Sequence, residues 1–222
     1  NSTLKIFFTG ENLERRFDWY DDYLLDHVDI SIGFKKFNSP KSLRFPLWLT
    51  STFDDKTFYD LLVNNRDIDL NKYFKKIDFD ENKRGFCTLV TTWNGYLDRE
   101  LAFNELNDYK PVNSGGEFLN NSSMLADLDQ NITAYYNKFN FNICLENSGG
   151  IGYTTEKIFN ALYAGTIPIY SNEHEPESDI LNQKRIIIWE NENTFEKIKY
   201  YDNNYREIFD LDIFNENANQ LI

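Results

Sequence analysis

The segment over residues 139–170 constrains the fold of this chain most, because it places four elements in a fixed order. Its first part, Phe139–Leu145, is a short apolar run that predicts a buried parallel strand. A glycine-rich loop follows, and Thr154 or Thr155 then stands where the cap of a helix is expected. The helix ends at a glycine, and Thr166–Tyr170 predicts the next strand. The segment therefore predicts a β–loop–α–β unit.

The loop of this unit, Asn147–Gly152, combines features that suit an anionic ligand. Its glycines permit a sharp turn or a close approach of a ligand, and Glu156 and Lys157 bring charges to the start of the helix. The free N–H groups and the positive dipole end of a helix N-terminus both favour a phosphate. The loop matches neither the dinucleotide fingerprint nor the P-loop. On these grounds alone, an ordinary βα turn and a nucleotide site both stay open.

Strand and helix patterns alternate through the second half of the chain, which predicts a parallel, doubly wound α/β sheet. The predicted elements are Phe86–Trp93, Asp98–Asn107, Lys110–Val112, Asn131–Lys138, Phe139–Leu145, Thr155–Ala164, Thr166–Tyr170, Ile186–Trp189 and a helical stretch over Thr194–Phe209. Upstream, Leu13–Asp26 and Asp54–Val63 have helical patterns. The polar stretch Asn64–Asn82 predicts a connection between domains or an excursion at the surface, and not an element of the core.

Composition narrows the function classes. The 222 residues carry a net charge of −13, which argues against binding nucleic acid or an anionic membrane over the whole surface. The sequence contains neither an apolar run long enough to span a membrane nor a signal-peptide pattern, and because it begins with Asn it is expected to be a fragment. Cys87 and Cys144 lie in apolar runs, which predicts two buried free thiols in a reducing compartment.

The sequence predicts no metal site. Asp-x-Asp pairs begin at Asp67, Asp78, Asp127 and Asp210. Such pairs arise easily by chance in a chain this rich in aspartate, and His27 and His174 lack the paired spacing of a zinc site.

Several motifs together resemble the α1,3/4-fucosyltransferases, above all those of bacteria. Glu146–Ser148, Tyr153–Lys157 and Ile167–Ile169 are similar to the donor-binding motif of that family, and Phe8–Asn12 resembles the loop of its first lobe. Further similarity lies in Asp29–Phe34, Leu43–Leu47 and Arg84–Phe86. The resemblance covers roughly residues 4–170.

This resemblance implies the GT-B architecture, in which two Rossmann-like lobes face each other across a cleft. Residues 1–82 correspond to an acceptor-side lobe that is short or truncated, and residues 83–222 to the donor lobe with a helical tail. It implies an inverting enzyme that moves L-fucose from GDP-fucose to an oligosaccharide containing GlcNAc or glucose, in an α1,3 or α1,4 linkage. No cofactor or metal is expected, since cations of the protein neutralise the leaving diphosphate.

The same resemblance gives roles to individual residues. Lys157 and Arg99 are implied to contact the donor phosphates, and Glu156 to accept hydrogen bonds from the ribose diol. Asn147 and Tyr153 are implied to line the same pocket, although packing is an alternative for Tyr153.

Glu11 is implied to be the general base, since an inverting displacement needs a carboxylate or an imidazole near the acceptor hydroxyl. A non-catalytic relic that binds nucleotide sugars or glycans, and a transferase for another GDP-sugar, are the alternative hypotheses. A bacterial-type enzyme would be cytoplasmic, whereas a eukaryotic fragment without its anchor would come from the Golgi lumen.

Overall fold

The structure, a computed structural model, describes residues 3–13, 22–64, 68–74, 84–92, 94, 97–171, 175–190 and 192–218. Within these residues a three-stranded sheet of order β1-β2-β3 and a five-stranded sheet of order β5-β4-β6-β7-β8 are both parallel throughout. The strands are β1 (Ile6–Phe8), β2 (Ile30–Gly33), β3 (Ser42–Arg44), β4 (Gly85–Leu89), β5 (Val112–Ser114), β6 (Phe139–Ile143), β7 (Ile167–Tyr170) and β8 (Ile187–Ile188). The predicted α/β class with parallel sheets is confirmed.

Helices connect the strands and cover both faces of the larger sheet. They are α1 (Trp48–Thr52), α2 (Asp55–Leu62), α3 (Leu70–Phe74), α4 (Leu97–Tyr109), α5 (Met124–Asp127), α6 (Ile132–Tyr136), α7 (Glu156–Tyr163), α8 (Glu192–Asn203) and α9 (Arg206–Phe209). Among the described helices, none is long and apolar enough to cross a membrane.

The larger sheet changes direction at β4. From that strand the chain moves outward to β5, and it then returns to place β6 on the opposite side of β4. In open parallel sheets a crevice forms at such a switch point, outside the carboxyl ends of the strands. The topology therefore predicts a ligand site where β4, β5 and β6 end.

Apolar side chains of the larger sheet point alternately into two cores, as expected for a sheet buried on both faces. On one face, Ile143 and Ile169 pack in a cluster with Leu106 of α4 and Ile198 of α8. On the other face, α7 presents its apolar stripe to a second cluster. The apolar stripe predicted for α7, Ile158, Ala161 and Leu162, is thus fully buried.

The helices α1–α3 share the core of the larger sheet. The Trp48 indole stacks on the Phe159 ring of α7 with a centroid separation of 4.1 Å and an interplanar angle of 15°. Tyr73 and Phe74 of α3 are buried in the same cluster. The prediction of a surface connection over residues 64–82 was therefore wrong for α3, because its aromatic residues find an apolar surface on α7. The predicted domain boundary at 82/83 lies outside the described residues and stays a prediction.

Smaller differences from the sequence pattern have local causes. Strand β5 begins at Val112, one residue after Pro111, which has no N–H to donate to a ladder. Residues 22–27 form turns instead of the end of a predicted helix, and Tyr23 and Leu24 have positive φ angles of 54° and 55°. Residues 14–21 of that predicted helix lie outside the described part of the chain. The helical stretch predicted over 194–209 is divided into α8 and α9.

We expect the contact between α1 and α7 to contribute strongly to stability. Because Phe159 is fully buried and stacked on Trp48, Phe159→Ala should lower the free energy of unfolding by about 3–5 kcal/mol. Tyr59→Ala is the matched control, since Tyr59 is an aromatic residue of α2 that is 55% exposed, and its loss should cost less than about 0.5 kcal/mol. Urea denaturation of the two variants measures the difference, and equal losses would contradict the shared core.

Candidate functional site

A cavity of about 630 Å³ opens at the carboxyl ends of β4, β5 and β6, where the topology predicts a ligand site. Thr91 follows β4, Gly116 follows β5, and Asn147 follows β6. Glu156 and Lys157 add the first turn of α7 to the wall. The structure thus brings together three of the predicted donor-binding residues, although they come from two separate elements.

Gly116, which was not among the predicted site residues, also lines the cavity, and its backbone packs closely on that of Thr91. A Cβ atom at this position would lie 2.2 Å from the carbonyl oxygen and 2.5 Å from the amide nitrogen of Thr91. Backbone atoms cannot move aside as a flexible side chain can, so a larger residue would push the ends of β4 and β5 apart. The pair Gly115–Gly116 after a predicted strand was the available signal.

The carboxylate of Glu146 organises the start of α7. It accepts hydrogen bonds from the Thr155 amide at 2.7 Å, the Thr155 hydroxyl at 2.8 Å, the Lys157 ammonium at 3.2 Å and the Tyr170 hydroxyl at 3.3 Å. Burial raises the pKa of Glu146, while Lys157 and the two bonds from Thr155 act in the opposite direction. Glu146 thus links the end of β6 to α7 and to β7.

This arrangement corrects the predicted helix cap. Thr155 occupies the N-cap position, but its side chain makes no capping bond to the helix. It donates to Glu146 instead, and the same carboxylate takes the Thr155 N–H. Thr154 precedes the N-cap position and is buried. A carboxylate on the segment that follows β6 can accept a hydrogen bond from a free helix N–H as a capping hydroxyl does, and its charge also complements the helix dipole.

Lys157 holds its charge at the wall of the cavity. Its ammonium group lies 2.8 Å from the Thr155 hydroxyl, 3.2 Å from Glu146 and 3.4 Å from Glu156. The Lys157 side chain is 23% exposed, whereas that of Glu156 is 42% exposed. The cation is therefore oriented by two neighbours at the start of α7 and by Glu146, and it remains accessible from the cavity.

Arg99 lies behind the cavity wall and is 1% exposed. Its guanidinium group donates two bonds to the Leu145 carbonyl, at 3.2 and 2.6 Å, and one bond each to the Thr91 hydroxyl at 2.8 Å and the Asn147 side-chain oxygen at 2.6 Å. Burial lowers the pKa of Arg99, and the charge of Glu146 acts against this effect. Arg99 thus fixes Asn147 at the end of β6, and its predicted contact with a phosphate stays a prediction.

Tyr153 points from the loop to the smaller sheet. Its ring packs edge-on against Phe34 at a centroid distance of 4.8 Å, in a buried cluster with Leu13 and Tyr23. Burial raises the pKa of Tyr153 to about 12, and the charges of Glu146 and then Glu11 contribute in the same direction. The packing role that the sequence analysis kept open is observed, and the role in donor binding stays a prediction.

Glu11 is exposed on the segment that leaves β1, and its amide donates to the Thr9 hydroxyl at 3.1 Å. It is not among the residues that line the cavity. Its neighbour Asn12 reaches the loop, where it bonds the Ser148 hydroxyl and the Gly149 carbonyl.

Arg44, at the end of β3, holds the same loop at a second point. Its guanidinium group donates to the Gly152 carbonyl at 3.2 Å and forms an ion pair with Glu177. Gly152 has a φ of 78°, which a residue with a side chain rarely adopts. The sequence analysis missed Asn12 and Arg44 as contacts of the loop, although both lie in motifs that carry the resemblance.

A second cavity, of about 650 Å³, lies between β3 and residues 175–180. Arg44, Ile151 and Glu177 contribute to its wall, but none of the six predicted site residues does. The first cavity is therefore the candidate donor site.

Among the described residues, no group of three or more His, Cys, Asp and Glu side chains is placed to hold a metal ion. The pairs that begin at Asp127 and Asp210 lie within the described part of the chain. Asp67, both residues of the pair that begins at Asp78, and His174 lie outside it.

Comparison with known proteins relates the fold and the site to one family. Residues 79–205 match the family described as Glycosyltransferase family 10 (fucosyltransferase) C-term. The alpha-(1,3)-fucosyltransferase FucT of Helicobacter pylori is 28% identical over 216 residues, which cover 88% of this chain and 43% of that protein. A putative fucosyltransferase, R654 of Acanthamoeba polyphaga mimivirus, is 30% identical over 125 residues, which cover 52% of this chain and 20% of that protein.

Two solved structures agree with the sequence relatives. A crystal structure of an alpha1,3-fucosyltransferase with GDP-fucose has a TM-score of 0.66 and 25% identity, and the match covers 93% of this chain and 65% of that chain. A crystal structure of an alpha1,3-fucosyltransferase with GDP has a TM-score of 0.64 and 25% identity, over 92% of this chain and 64% of that chain. The likeness confirms the predicted GT-B type of fold.

The chain spans 43% of the length of the Helicobacter pylori relative and 65% of the structure with GDP-fucose. The family match covers more than half of the chain, from the segment before β4 to the end of α8. This chain therefore belongs to glycosyltransferase family 10, the fucosyltransferases.

Proposed function

We propose that this chain binds GDP-fucose in the cavity at the end of β4–β6 and transfers L-fucose to a glycan that contains GlcNAc or glucose, giving an α1,3 or α1,4 linkage. One observation carries the proposal. The family motif places Asn147, Glu156 and Lys157 on the wall of one cavity at the switch point of the sheet. One of the solved relatives is an alpha1,3-fucosyltransferase with GDP-fucose, which supports the same donor here.

The wall of the cavity matches the chemistry of this donor. Lys157 is a compact cation beside the first turn of α7, and it would offset the charge that develops on the leaving diphosphate. Glu156 is half exposed at the same rim, and a carboxylate can accept two hydrogen bonds from the vicinal diol of a ribose. Arg99 would act on the phosphates and also through Asn147, which it holds.

The transfer step needs a base on the acceptor side. In an inverting displacement, the acceptor oxygen forms a bond to C1 of fucose while the bond from C1 to the β-phosphate oxygen breaks. The electron pair leaves with GDP, and the hydroxyl proton passes to a base. The resemblance of the loop over Phe8–Asn12 to the family assigns this role to Glu11. In support of it, Glu11 is exposed beside Asn12, which contacts the loop of the donor cavity.

The direct test is an assay of the chain with GDP-fucose and with lactose, N-acetyllactosamine or type 1 acceptors. Release of GDP together with a new fucosylated product supports the proposal. GDP binding without transfer to any acceptor would favour the non-catalytic relic. Transfer from another GDP-sugar in preference to GDP-fucose would favour a different donor.

We place the bacterial-type protein in the cytoplasm, with the Golgi lumen as the alternative for a eukaryotic fragment. Cys87 and Cys144 are free and buried, which is compatible with a reducing compartment.

The first prediction of this function concerns Lys157. Lys157→Ala should weaken GDP binding by about 1.5–3 kcal/mol, because a hydrogen bond to a charged group has this strength. Lys184→Ala is the matched control, since Lys184 is exposed and outside the cavity wall, and its affinity for GDP should be unchanged. Calorimetry with GDP measures both values, and an unchanged affinity in folded Lys157→Ala would remove Lys157 from the site.

A second prediction concerns metal ions. Because Lys157 and Arg99 are assigned to the phosphate charge, fucosyl transfer should continue at an undiminished rate in EDTA. The rate is measured with and without the chelator at saturating GDP-fucose. Loss of activity that Mn²⁺ restores would show that a metal ion takes part and that the protein cations are insufficient.

A third prediction identifies the base. Glu11→Gln keeps the size of the side chain but cannot accept the proton, so kcat should fall by roughly 10²–10⁴-fold. The affinity for GDP should change little, because the base contacts the acceptor and not the nucleotide. Steady-state kinetics and calorimetry give the two values, and normal turnover in Glu11→Gln would place the base elsewhere.

A further inference from the structure

The loop of the donor cavity is held from outside its own sheet by the residue that follows Glu11. Asn12 is 4% exposed although it lies between β1 and β2, in the smaller sheet. Its side-chain nitrogen donates to the Ser148 hydroxyl at 3.0 Å and to the Gly149 carbonyl at 2.6 Å. The two partners lie more than 130 residues away in the sequence, so the contact joins two distant parts of the fold.

The orientation of the Asn12 amide is determined by its partners. A backbone carbonyl can only accept, so the group that faces Gly149 must be the nitrogen. A Cβ atom on Gly150 would lie 3.0 Å from this nitrogen, which shows how closely the loop backbone packs on it. The Asn12 side-chain oxygen is buried and has no hydrogen-bond partner within the described residues, so the two bonds that the described structure gives this side chain are both made by its nitrogen.

The residue after Asn12 also contacts the loop of the donor cavity. Leu13 packs in a buried cluster with Phe34 and with Tyr153, which the loop contributes. Asn12 and Leu13 thus contact the loop in consecutive positions.

We infer that Asn12 is a positioning residue, which fixes the place of Glu11 relative to the donor loop through its bonds to Ser148 and Gly149. The inference rests on the proposed function, since it takes Glu11 as the base. Consecutive Cα atoms are about 3.8 Å apart, so the bonds of Asn12 hold the backbone within one residue of Glu11. A misplacement of about 1 Å in a reacting group can cost on the order of 10²-fold in rate.

The test compares single and double substitutions. Asn12→Ala should lower kcat by about 10–100-fold and change the affinity for GDP by less than about threefold, because the phosphate charge is assigned to Lys157, which lies on α7 and not on the loop that Asn12 holds. In the Glu11→Gln background, Asn12→Ala should cost less than about threefold further, since there is no base left to misplace. A full additional 10–100-fold loss in the double variant would overturn the inference.

Two further variants separate positioning from stability. Asn12→Asp has the same shape but turns an acceptor towards the Gly149 carbonyl, and it should reduce kcat at least as much as Asn12→Ala. Asn71→Ala is the matched control, because Asn71 also joins distant segments, through Ile213 and Phe214, away from the donor cavity. It should lower the unfolding temperature and leave kcat unchanged at temperatures where the protein is folded. An equal loss of kcat in Asn71→Ala would show that Asn12 has only a structural effect.

A measurement without turnover keeps the inference testable in every case. Amide hydrogen exchange of the peptide over residues 147–153 should be at least about fivefold faster in Asn12→Ala than in the original chain, because the loop loses two of its bonds. Unchanged exchange would overturn the inference whether or not the chain is active. A chain that binds GDP and transfers nothing, but shows faster exchange in the variant, would instead overturn the assignment of Glu11 and the proposed function.

Discussion

The buried carboxylate of Glu146 is the interaction on which the donor cavity depends. An ionised side chain is costly to bury unless donors surround it, and here a backbone amide, two hydroxyls and an ammonium group do so. Those four donors come from the residues before α7, from its first turn and from the end of β7. One side chain at the end of β6 therefore determines where the helix begins, how Lys157 is oriented and how two strands are joined at the cavity.

The loop that leads from Glu146 to α7 has contacts with residues of both the larger and the smaller sheet. On the side of the larger sheet, Arg99 holds Asn147. On the side of the smaller sheet, Asn12 holds Gly149 and Arg44 holds Gly152, while the ring of Tyr153 enters a cluster with Phe34. A loop with contacts on two sides has little freedom to move without disturbing one of them. This is how a glycine-rich segment can present a defined wall to a ligand.

The helices α1–α3 pack on α7, the helix whose first turn carries Lys157. Trp48 and Phe159 are fully buried, and their stacked rings join the segment after β3 to the helix that carries Lys157. The smaller sheet is thus connected to the larger one through side chains in a core as well as through the loop. The two sheets are buried to different degrees. Nearly all apolar strand residues of the larger sheet are buried, whereas Phe8 and Leu43 of the smaller sheet are exposed.

Local patterns in the sequence were enough to predict the β–loop–α–β unit and the alternation that follows Arg84, because apolar periodicity and glycine positions act over a few residues. The roles of Asn147, Glu156 and Lys157 at one site were implied by the resemblance to the family, whereas local patterns alone left an ordinary βα turn open at the same loop. Local patterns could not show that Glu146 caps α7, that α3 enters a core or that Tyr153 turns to the smaller sheet. Each of these depends on which surface a side chain meets after distant segments have come together. The sequence by itself therefore determined the elements and the chemistry of the loop. The tertiary structure alone decided which partners satisfy Glu146, Arg99 and Asn12, because strands and helices must first pack on one another to bring those partners close, and for Asn12 the two sheets must also meet.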